Sequence, residues 1–320
     1  MTEYSLLADV GGTNTRVALA KGTTILPDTI VKHRNLDHEG LEALLASYLD
    51  RQGSPTCSGA AVAIAGPVKD GAGQLTNLNW KLDKETLARL SGAARSAVVN
   101  DLQAQGHALG HIAPEDLMVL KTGSETSAQA AMLVVGIGTG FNCAPVFQTA
   151  KGRLVPPSEA GHVTLPSVDT DLWDLSRYLT SKLGHAAVED ALSGRGLEHC
   201  YAFAAARAGG AGTATTTQIF AAADAGDPVA QQSLALFVRA MGGVIGDLAL
   251  TLLPFGGIFL VGGMARAIAP WLAPMGFDAA FSDKGRFGPF LDGFSISLVS
   301  DDYAALSGLA HFLAGSDHQS

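Results

Sequence analysis

Short apolar runs alternate with amphipathic segments along the chain, and this pattern predicts interleaved strands and helices. The apolar runs that predict strands cover residues 4–10, 15–20, 59–65, 96–100, 130–135, 142–147, 257–261 and 296–299. Helical spacing of apolar residues predicts helices over residues 38–50, 83–92, 102–109 and 303–313. Alternating elements are typical of an α/β fold, in which ligands bind at the carboxyl ends of the strands.

The most apolar stretch of the chain, residues 234–253, allows two interpretations. It is long enough to cross a membrane, yet it contains Arg239, Asp247 and three glycines. Charged side chains are rare in membrane spans, whereas glycines let a buried helix approach its neighbours closely. The sequence therefore favours a helix buried in the core, and a membrane span is the alternative.

Composition indicates a folded, core-rich protein rather than a disordered one. The chain has 320 residues, of which 47% are hydrophobic and 16% charged, and this length suits two domains. The formal net charge of −9 argues against general nucleic-acid binding, which needs a basic face, and no membrane partner is expected.

Cysteine usage bears on the compartment of the protein. The three cysteines, Cys57, Cys143 and Cys200, form no CxxC or Cys/His cluster, so neither a disulfide framework nor a structural zinc is expected. The N-terminal segment lacks the pattern of a signal peptide, and a reducing cytoplasm is the expected location.

The first predicted hairpin contains the turn Gly11-Gly12-Thr13-Asn14, shortly after Asp9. Glycines let main-chain N–H groups approach a phosphate without an intervening Cβ, and the Thr and Asn side chains add polar groups. The carboxylate at the strand end could hold Mg²⁺ through water, because Mg²⁺ keeps several of its waters. Taken alone, however, a Gly-Gly turn is more often only a hairpin turn.

A second glycine-rich turn follows the strand predicted at residues 130–135. Gly136, Gly138 and Gly140 have GxGxG spacing, and the next residues have the pattern of a strand rather than a helix. This context excludes a Rossmann fingerprint, and no P-loop motif occurs in the chain. The stretch fits a second phosphate hairpin that repeats the plan of the first.

A third glycine pair, Gly262-Gly263, follows the strand predicted at residues 257–261. Such a pair could lie against adenine or ribose, where a side chain would not fit. Close packing of a strand on a helix is an equally supported interpretation.

Polar residues near other strand ends and in loops suggest a second substrate that carries hydroxyl groups. Asn100-Asp101 follows a short apolar strand, and a carboxylate fixed there suits a general base, although Asp is also common as a helix N-cap. Glu159, His162 and Glu189 could bind a polyol, because carboxylates accept hydrogen bonds from several hydroxyls. A solvated surface charge and a structural histidine are the alternatives for these residues.

Eight stretches of the chain, taken together, resemble the bacterial glucokinase family within the actin-like sugar-kinase fold. They follow the family's order over nearly the whole chain: DVGGTNTR (9–16), LTNLNW (75–80), ND (100–101), GTG (138–140), EAGH (159–162), LSGRGL (192–197), GGIFLVGG (256–263) and FSDKGRF (281–287). Related repressor-type sugar kinases carry a zinc motif of clustered cysteines. This chain has no such motif, so it resembles the non-zinc type.

The resemblance implies an α/β protein with the two-domain actin-like ATPase (sugar kinase/ribonuclease H-like) fold and an active-site cleft between the domains. The expected small domain covers residues 1–110 and is completed by a C-terminal helix at about 301–320; the expected large domain covers 111–300. The implied reaction is in-line transfer of a phosphoryl group from ATP to D-glucose, giving glucose 6-phosphate. Mg²⁺ as cofactor and a cytoplasmic homodimer are implied as well.

The resemblance also assigns roles by matching position. Asp101 is the expected general base that takes the proton from the 6-hydroxyl of the sugar, and Asp9 is expected to hold Mg²⁺ through water. The expected sugar-binding residues are Asn100, Asp101, Glu159, His162 and Glu189. The expected ATP-binding residues are Ala8, Asp9, Val10, Gly11, Gly12, Thr13, Asn14, Gly138, Thr139, Gly140, Gly262 and Gly263.

The chain departs from the family's pattern at three places. Ile137 stands in place of a proline, Phe141-Asn142 in place of a small or aliphatic residue followed by glycine, and Ala160 in place of a glycine. These departures keep open a hexokinase for another sugar or another phosphoryl donor. A non-catalytic sugar sensor is a further alternative, against which the intact Asp101 and both hairpins count.

Overall fold

The computed structural model describes residues 4–75 and 78–315, so Thr76 and Asn77 of the LTNLNW stretch lie outside the described residues. The strands are β1 (Tyr4–Val10), β2 (Asn14–Lys21), β3 (Thr24–Ile25), β4 (Val31–Arg34), β5 (Cys57–Ile64), β6 (Val68–Lys69), β7 (Ala72–Gln74), β8 (Lys81–Asp83), β9 (Arg95–Asn100), β10 (Leu117–Lys121), β11 (Met132–Ile137), β12 (Phe141–Thr149), β13 (Gly152–Leu154), β14 (Ile258–Val261) and β15 (Ile296–Val299). The α-helices are α1 (Leu41–Arg51), α2 (Lys84–Ser91), α3 (Asp101–Ala108), α4 (Thr170–Leu183), α5 (Val188–Ala191), α6 (Gly194–Arg207), α7 (Thr216–Asp224), α8 (Pro228–Leu252), α9 (Gly263–Leu272), α10 (Phe277–Ser282), α11 (Gly288–Leu291) and α12 (Ala304–Gly315). The eight strands predicted from apolar runs are confirmed, with ends that differ by at most two residues.

The chain forms two compact units. Unit 1 comprises Met1–Asp116, Val146–Pro157 and Asp301–Ser320. Unit 2 comprises Leu117–Pro145 and Ser158–Ser300.

The central strand of unit 1 is β1, in a sheet of order β3-β2-β1-β5-β9 with β4 paired to β2. It is antiparallel to β2 and parallel to β5, and β5 is parallel to β9. Leu6 and Ala8 pack in a cluster with the apolar residues of α1 and α2, whereas Leu7 packs with those of α3 and α12. Because helices cover both faces, β1 is a nearly continuous apolar run rather than a strict apolar–polar alternation.

The parallel register of unit 1 aligns the carboxyl ends of its central strands. Val10 pairs with Ile64, and Ile64 pairs in turn with Asn100. The turn after β1 and the start of α3 therefore lie at the same edge of the sheet, where ligands bind in open α/β sheets.

Close packing explains why the last part of β12 and β13 belong to unit 1. Gly106 of α3 lies so near Val146 and Val155 that a Cβ at this position would meet both side chains at 3.0 Å or less. On another part of α3, the Ala104 carbonyl contacts Gly308 of α12. A Cβ at position 308 would collide with this carbonyl.

Unit 2 contains the strands β10, β15, β14, β11 and β12, neighbours in that order. The strands β11, β14 and β15 are parallel, and Gly136 pairs with Val261. The turns that follow β11 and β14 are therefore neighbours at the carboxyl edge. The turn after β11 is shorter than predicted, because Gly136 continues the strand and the turn covers residues 138–140.

The apolar stretch at residues 234–253 forms most of α8, and the prediction of a buried helix is confirmed. By length and composition α8 is the one helix among the described residues that could cross a membrane, yet 67% of its most apolar window is buried within the protein. Two of its glycines, Gly242 and Gly246, pack against the main chain of α10 at Phe277 and Phe281. Close helix packing accounts for these glycines.

Candidate active site

The turn after β1 is held in place by a buried side chain, Asn35, which sequence reasoning did not identify. Its Nδ2 donates to the Gly11 carbonyl at 2.8 Å, and its Oδ1 accepts from the Thr15 hydroxyl at 2.8 Å. Its main-chain N–H also donates to the Thr13 carbonyl at 2.9 Å. Two of these bonds use carbonyls of the turn, and within the turn the Gly11 N–H donates to the Asn14 carbonyl at 3.0 Å, so these bonds together fix the shape of the turn.

Asp9 lies at the end of β1, paired across the hairpin with Arg16. Its carboxylate is 3.4 Å from the Arg16 guanidinium, and its side chain is only 17% exposed. Burial raises the pKa of Asp9 above its ordinary value near 3.8, and the charge and hydrogen bond of Arg16 act in the opposite direction. A hard carboxylate oxygen in such a place fits Mg²⁺, whose charge would favour the ionised form further.

At the start of α3, the N-cap is Asn100 rather than Asp101. The Asn100 Oδ1 accepts from the Leu102 N–H at 3.0 Å, and its Nδ2 donates to the Gly66 carbonyl at 3.1 Å. The Asn100 N–H donates to Gln103 Oε1 at 3.0 Å, which completes a capping box. The alternative interpretation of Asp101 as a helix cap is therefore wrong: it is the first helical residue, half-buried, and its Oδ1 accepts from the Leu102 N–H at 2.9 Å.

In unit 2 the turn between β11 and β12 is closed by the Gly138 N–H, which donates to the Gly140 carbonyl at 2.9 Å. The N-terminus of α6 adjoins it, because the Gly194 N–H donates to the Gly138 carbonyl at 2.9 Å. Glu189 of α5 lies against the same turn and accepts from the Phe141 N–H at 3.0 Å. A Cβ at Gly140 would collide with the Glu189 carboxylate, so a larger residue at this position would displace the acid.

The structure supports a different interpretation for each residue of the Gly262-Gly263 pair: close packing for one and open space for a ligand at the other. Gly262 has a φ of +105°, and a Cβ there would collide with the Ile137 carbonyl, so close packing explains this residue. Gly263 begins α9 and has open space where a Cβ would be. Of the two glycines, Gly263 remains the candidate for a contact with the nucleoside.

Glu159 precedes a single turn of 3₁₀-helix, Ala160–His162, and His162 is the last residue of that turn. The Glu159 Oε2 and the His162 Nε2 are 4.0 Å apart, and both side chains are more than half exposed. The segment that follows is bonded to the start of α5: the Val188 N–H donates to the Val163 carbonyl at 2.9 Å. This pairing brings the Glu159–His162 turn and Glu189 into one region of unit 2.

The structure thus assembles the predicted residues in two groups. Unit 1 carries Asp9, the turn after β1 and Asn100-Asp101 at one sheet edge; unit 2 carries the turn at residues 138–140, Gly262-Gly263, Glu159, His162 and Glu189. Sequence reasoning missed Asn35, which supports the first turn, and gave no structural role to Asn142.

Comparison with known proteins places the chain among sugar kinases. The sequence model of a protein family described as Glucokinase matches residues 6–316. The glucokinase of Marinobacter nauticus is 32% identical over 316 residues, which cover 98% of each chain.

Solved structures agree with this result. The glucokinase from an Antarctic psychrotroph is 29% identical, with a TM-score of 0.86 over 98% of this chain and 99% of that chain. A ROK family glucokinase from Streptomyces griseus, in complex with glucose and AMPPNP, is 17% identical and has a TM-score of 0.65 over 97% of this chain and 98% of that chain. The α/β sugar-kinase fold predicted from the resemblance is confirmed.

Proposed function

This chain belongs to the glucokinase family, and we propose on that premise that it phosphorylates D-glucose at O6 with ATP. The observation that carries the proposal is the presence of two glycine turns at strand ends, each with carboxylates of the expected type beside it. The first turn lies at the same sheet edge as Asp101, and the second contacts Glu189 directly.

Asp101 is the proposed general base. As the first residue of α3 it is fixed by the helix, and its Oδ1 accepts from the Leu102 N–H at 2.9 Å. In the proposed step, O6 of glucose forms a bond to the γ-phosphorus while the bond from that phosphorus to the β–γ bridging oxygen breaks. The hydroxyl proton passes to the Asp101 carboxylate and ADP leaves, as expected for in-line phosphoryl transfer.

The remaining polar residues position the substrates. We assign the other hydroxyls of glucose to Asn100, Glu159, His162 and Glu189. Asn100 has limited freedom for this role, because its Oδ1 and Nδ2 already bond to Leu102 and Gly66. Its second amide hydrogen is the group that could serve the sugar.

The ATP phosphates are assigned to residues 8–14 and 138–140, with Gly263 nearest the nucleoside. Asp9 would hold Mg²⁺, which when bound with ATP neutralises phosphate charge. The Arg16 guanidinium holds the Asp9 carboxylate through their 3.4 Å contact. We further expect a cytoplasmic homodimer, as the family resemblance implies, and sedimentation of the purified protein would test the dimer.

Formation of glucose 6-phosphate from D-glucose and MgATP is the primary test, with wild type beside Asp101→Asn. We expect product from wild type and a loss of about 10²–10⁴ in kcat for the variant. The variant should keep its melting temperature, because Asn100 supplies the helix cap and an Asn at position 101 can still accept from the Leu102 N–H.

A matched control for this test is Asp83→Asn, which alters an aspartate at the N-terminus of another helix of unit 1. It should keep both its stability and its turnover, because asparagine caps a helix about as well as aspartate and can still accept from the Thr86 N–H. Turnover near wild type in Asp101→Asn would remove Asp101 as the base, and absence of product from folded wild type would reject the proposed function.

A second candidate is the same transfer with another hexose or another phosphoryl donor. It is favoured by one observation: the residues that depart from the family, Ile137, Phe141, Asn142 and Ala160, are clustered at the second turn and the segment bonded to it. Comparison of kcat/KM over a panel of hexoses and nucleoside triphosphates decides the question. A clear lead for glucose with ATP would reject this second candidate.

A further inference from the structure

Asn142 is the second residue of β12, directly after the turn at residues 138–140, and its side chain is the centre of a hydrogen-bond network. Its Oδ1 accepts from the Cys143 N–H at 2.8 Å and from the Ala160 N–H at 3.0 Å. Its Nδ2 donates to the Ser158 carbonyl at 2.6 Å. The Ser158 hydroxyl lies 3.0 Å from the same Oδ1 and makes a shorter bond, 2.6 Å, to the Cys143 carbonyl.

Two of these bonds bracket Glu159. The Ser158 carbonyl belongs to the peptide group before Glu159, and the Ala160 N–H belongs to the peptide group after it. One carboxamide therefore holds both peptide groups that join the Cα of Glu159, much as a neighbouring strand would. With both peptide planes fixed, the direction of the Cα–Cβ bond of Glu159 is fixed as well.

The side chain of Glu159 depends on this support from the main chain. It is 53% exposed, and its carboxylate lies 4.0 Å from His162, which is itself exposed. A second support acts nearby: Gly161 packs so closely on the Phe141 carbonyl that no Cβ fits between them. The consecutive residues Phe141 and Asn142 therefore both contact the segment that carries Glu159 and hold it in place.

We propose that Asn142 is a positioning residue of the sugar site, which acts by holding Glu159 in its binding orientation. This inference rests on the proposed function, because Glu159 matters only if it binds the sugar. Asn142 does not need to touch the substrate, since its donor and acceptor atoms are used on the main chain on either side of Glu159. The sugar specificity of this enzyme would then depend on a residue at which the chain departs from its family.

The test is a double-mutant cycle between Asn142→Ala and Glu159→Ala, with KM measured separately for D-glucose and MgATP. We expect Asn142→Ala to raise the KM for glucose about tenfold or more, because the two bonds on either side of Glu159 are lost, and to leave the KM for ATP within about twofold. In the Glu159→Ala background, Asn142→Ala should lower kcat/KM for glucose by no more than about twofold, because the residue through which it acts is already gone.

Two further variants separate positioning from general stability. Asn142→Asp keeps an acceptor for the Ala160 N–H and loses the donor to the Ser158 carbonyl, so its KM for glucose should lie between those of wild type and Asn142→Ala. Gln231→Ala is the matched control, because it removes another amide that donates to a main-chain carbonyl of unit 2, that of Ala223 at 3.4 Å. It should leave both KM values unchanged.

Hydrogen exchange gives a readout without substrate. The Ala160 amide should exchange faster in Asn142→Ala and at the wild-type rate in Gln231→Ala. Additive losses in the double mutant, or equal rises in both KM values, would overturn the inference while leaving the proposed function intact. A wild type that does not phosphorylate glucose would overturn the proposed function and, with it, the inference.

Discussion

The Phe141 main-chain N–H donates a 3.0 Å hydrogen bond to the Glu189 carboxylate. Phe141 directly follows the glycine turn assigned to phosphate, and Glu189 is assigned to the sugar. The bond therefore ties the shape of the phosphate turn to the position of a sugar-binding acid. Glu159, by contrast, has an exposed carboxylate, and Asn142 bonds to the main chain of the residues on either side of it, Ser158 and Ala160.

This difference predicts that two acids with the same proposed role respond differently to removal. Glu189→Ala should raise the KM for both glucose and ATP, each by about tenfold, because the Phe141 N–H loses its partner and the turn loosens. Glu159→Ala should raise the KM for glucose alone. Steady-state kinetics with each substrate varied in turn measures both values. An unchanged KM for ATP in Glu189→Ala would show that the bond to Phe141 does not shape the phosphate turn.

Asn35 should matter for nucleotide binding although it lies outside the motifs. It is 1% exposed, and Asn35→Ala leaves the Gly11 carbonyl and the Thr15 hydroxyl without their partner. We expect a loss of stability of about 1–3 kcal/mol per unsatisfied buried group and a higher KM for ATP, with a smaller change for glucose. Urea unfolding and steady-state kinetics provide the two measurements.

The Asn35→Asp variant tests the two side-chain hydrogen bonds of Asn35 separately. Asn35→Asp keeps the acceptor for Thr15 and loses the donor to Gly11, so its KM for ATP should lie between those of wild type and Asn35→Ala. A KM for ATP that stays at the wild-type value in both variants would show that the turn keeps its shape without this side chain.

The strands and the motif residues could be predicted from the sequence because their signals are local. The apolar run of β1 and the glycine spacing of the second turn occur within a few residues each. The roles of Asn35 and Asn142 could not be predicted, since each depends on hydrogen bonds to segments 16 or more residues away, to Gly11 and Thr15 for one and to Ser158 and Ala160 for the other.

Hydrogen bonds at the ends of two helices explain why these helices begin at other residues than the sequence predicts. Helical spacing begins at residue 38, yet α1 begins at Leu41 after Gly40, because residues 35–37 form a 3₁₀ turn and Asn35 is engaged with the hairpin. At α3 both Asn100 and Asp101 can cap a helix, and the Gly66 carbonyl selects Asn100 by accepting from its Nδ2. Neither outcome is visible in the spacing of apolar residues.

A histidine cluster in unit 1 should make stability fall in mild acid. His107 is 8% exposed, and its ring centroid lies 5.0 Å from that of Phe312 in an edge-to-face arrangement. Burial together with Arg153 and His311 lowers the pKa of His107 to about 4. The His111 and His311 rings stack at 3.6 Å, and burial together with His111 and Arg153 lowers the pKa of His311 to about 4 as well. The unfolded chain, with histidine pKa values near 6.5, then binds more protons than the folded one between these values.

The resulting stability is fully present above pH 6.5 and is lost as the pH falls toward 4. His107→Gln removes one titrating group, so the melting temperature of this variant should fall less steeply over that range than that of wild type. His185→Gln, at an exposed histidine, is the control and should follow the wild-type curve. Parallel curves for all three proteins would show that His107 does not contribute to the acid sensitivity.

Two adjacent glycines of α8 should respond in opposite ways to substitution by alanine, because only one of them packs closely on α10. A Cβ at Gly242 would lie 2.7 Å from the Ala280 Cβ and 2.9 Å from the Phe277 carbonyl oxygen, so Gly242→Ala must push α10 away from α8. We expect a loss of about 1–3 kcal/mol in the free energy of unfolding, as is typical of overpacking.

At the adjacent Gly243 the nearest atom to a Cβ is a Val168 methyl carbon at 3.9 Å, an ordinary contact. Gly243→Ala should therefore stabilise the protein by about 0.5–1 kcal/mol, because alanine favours the helix over glycine. Urea unfolding of both variants measures the two values, and a Gly242→Ala variant as stable as Gly243→Ala would show that α8 and α10 do not pack as closely as the structure indicates.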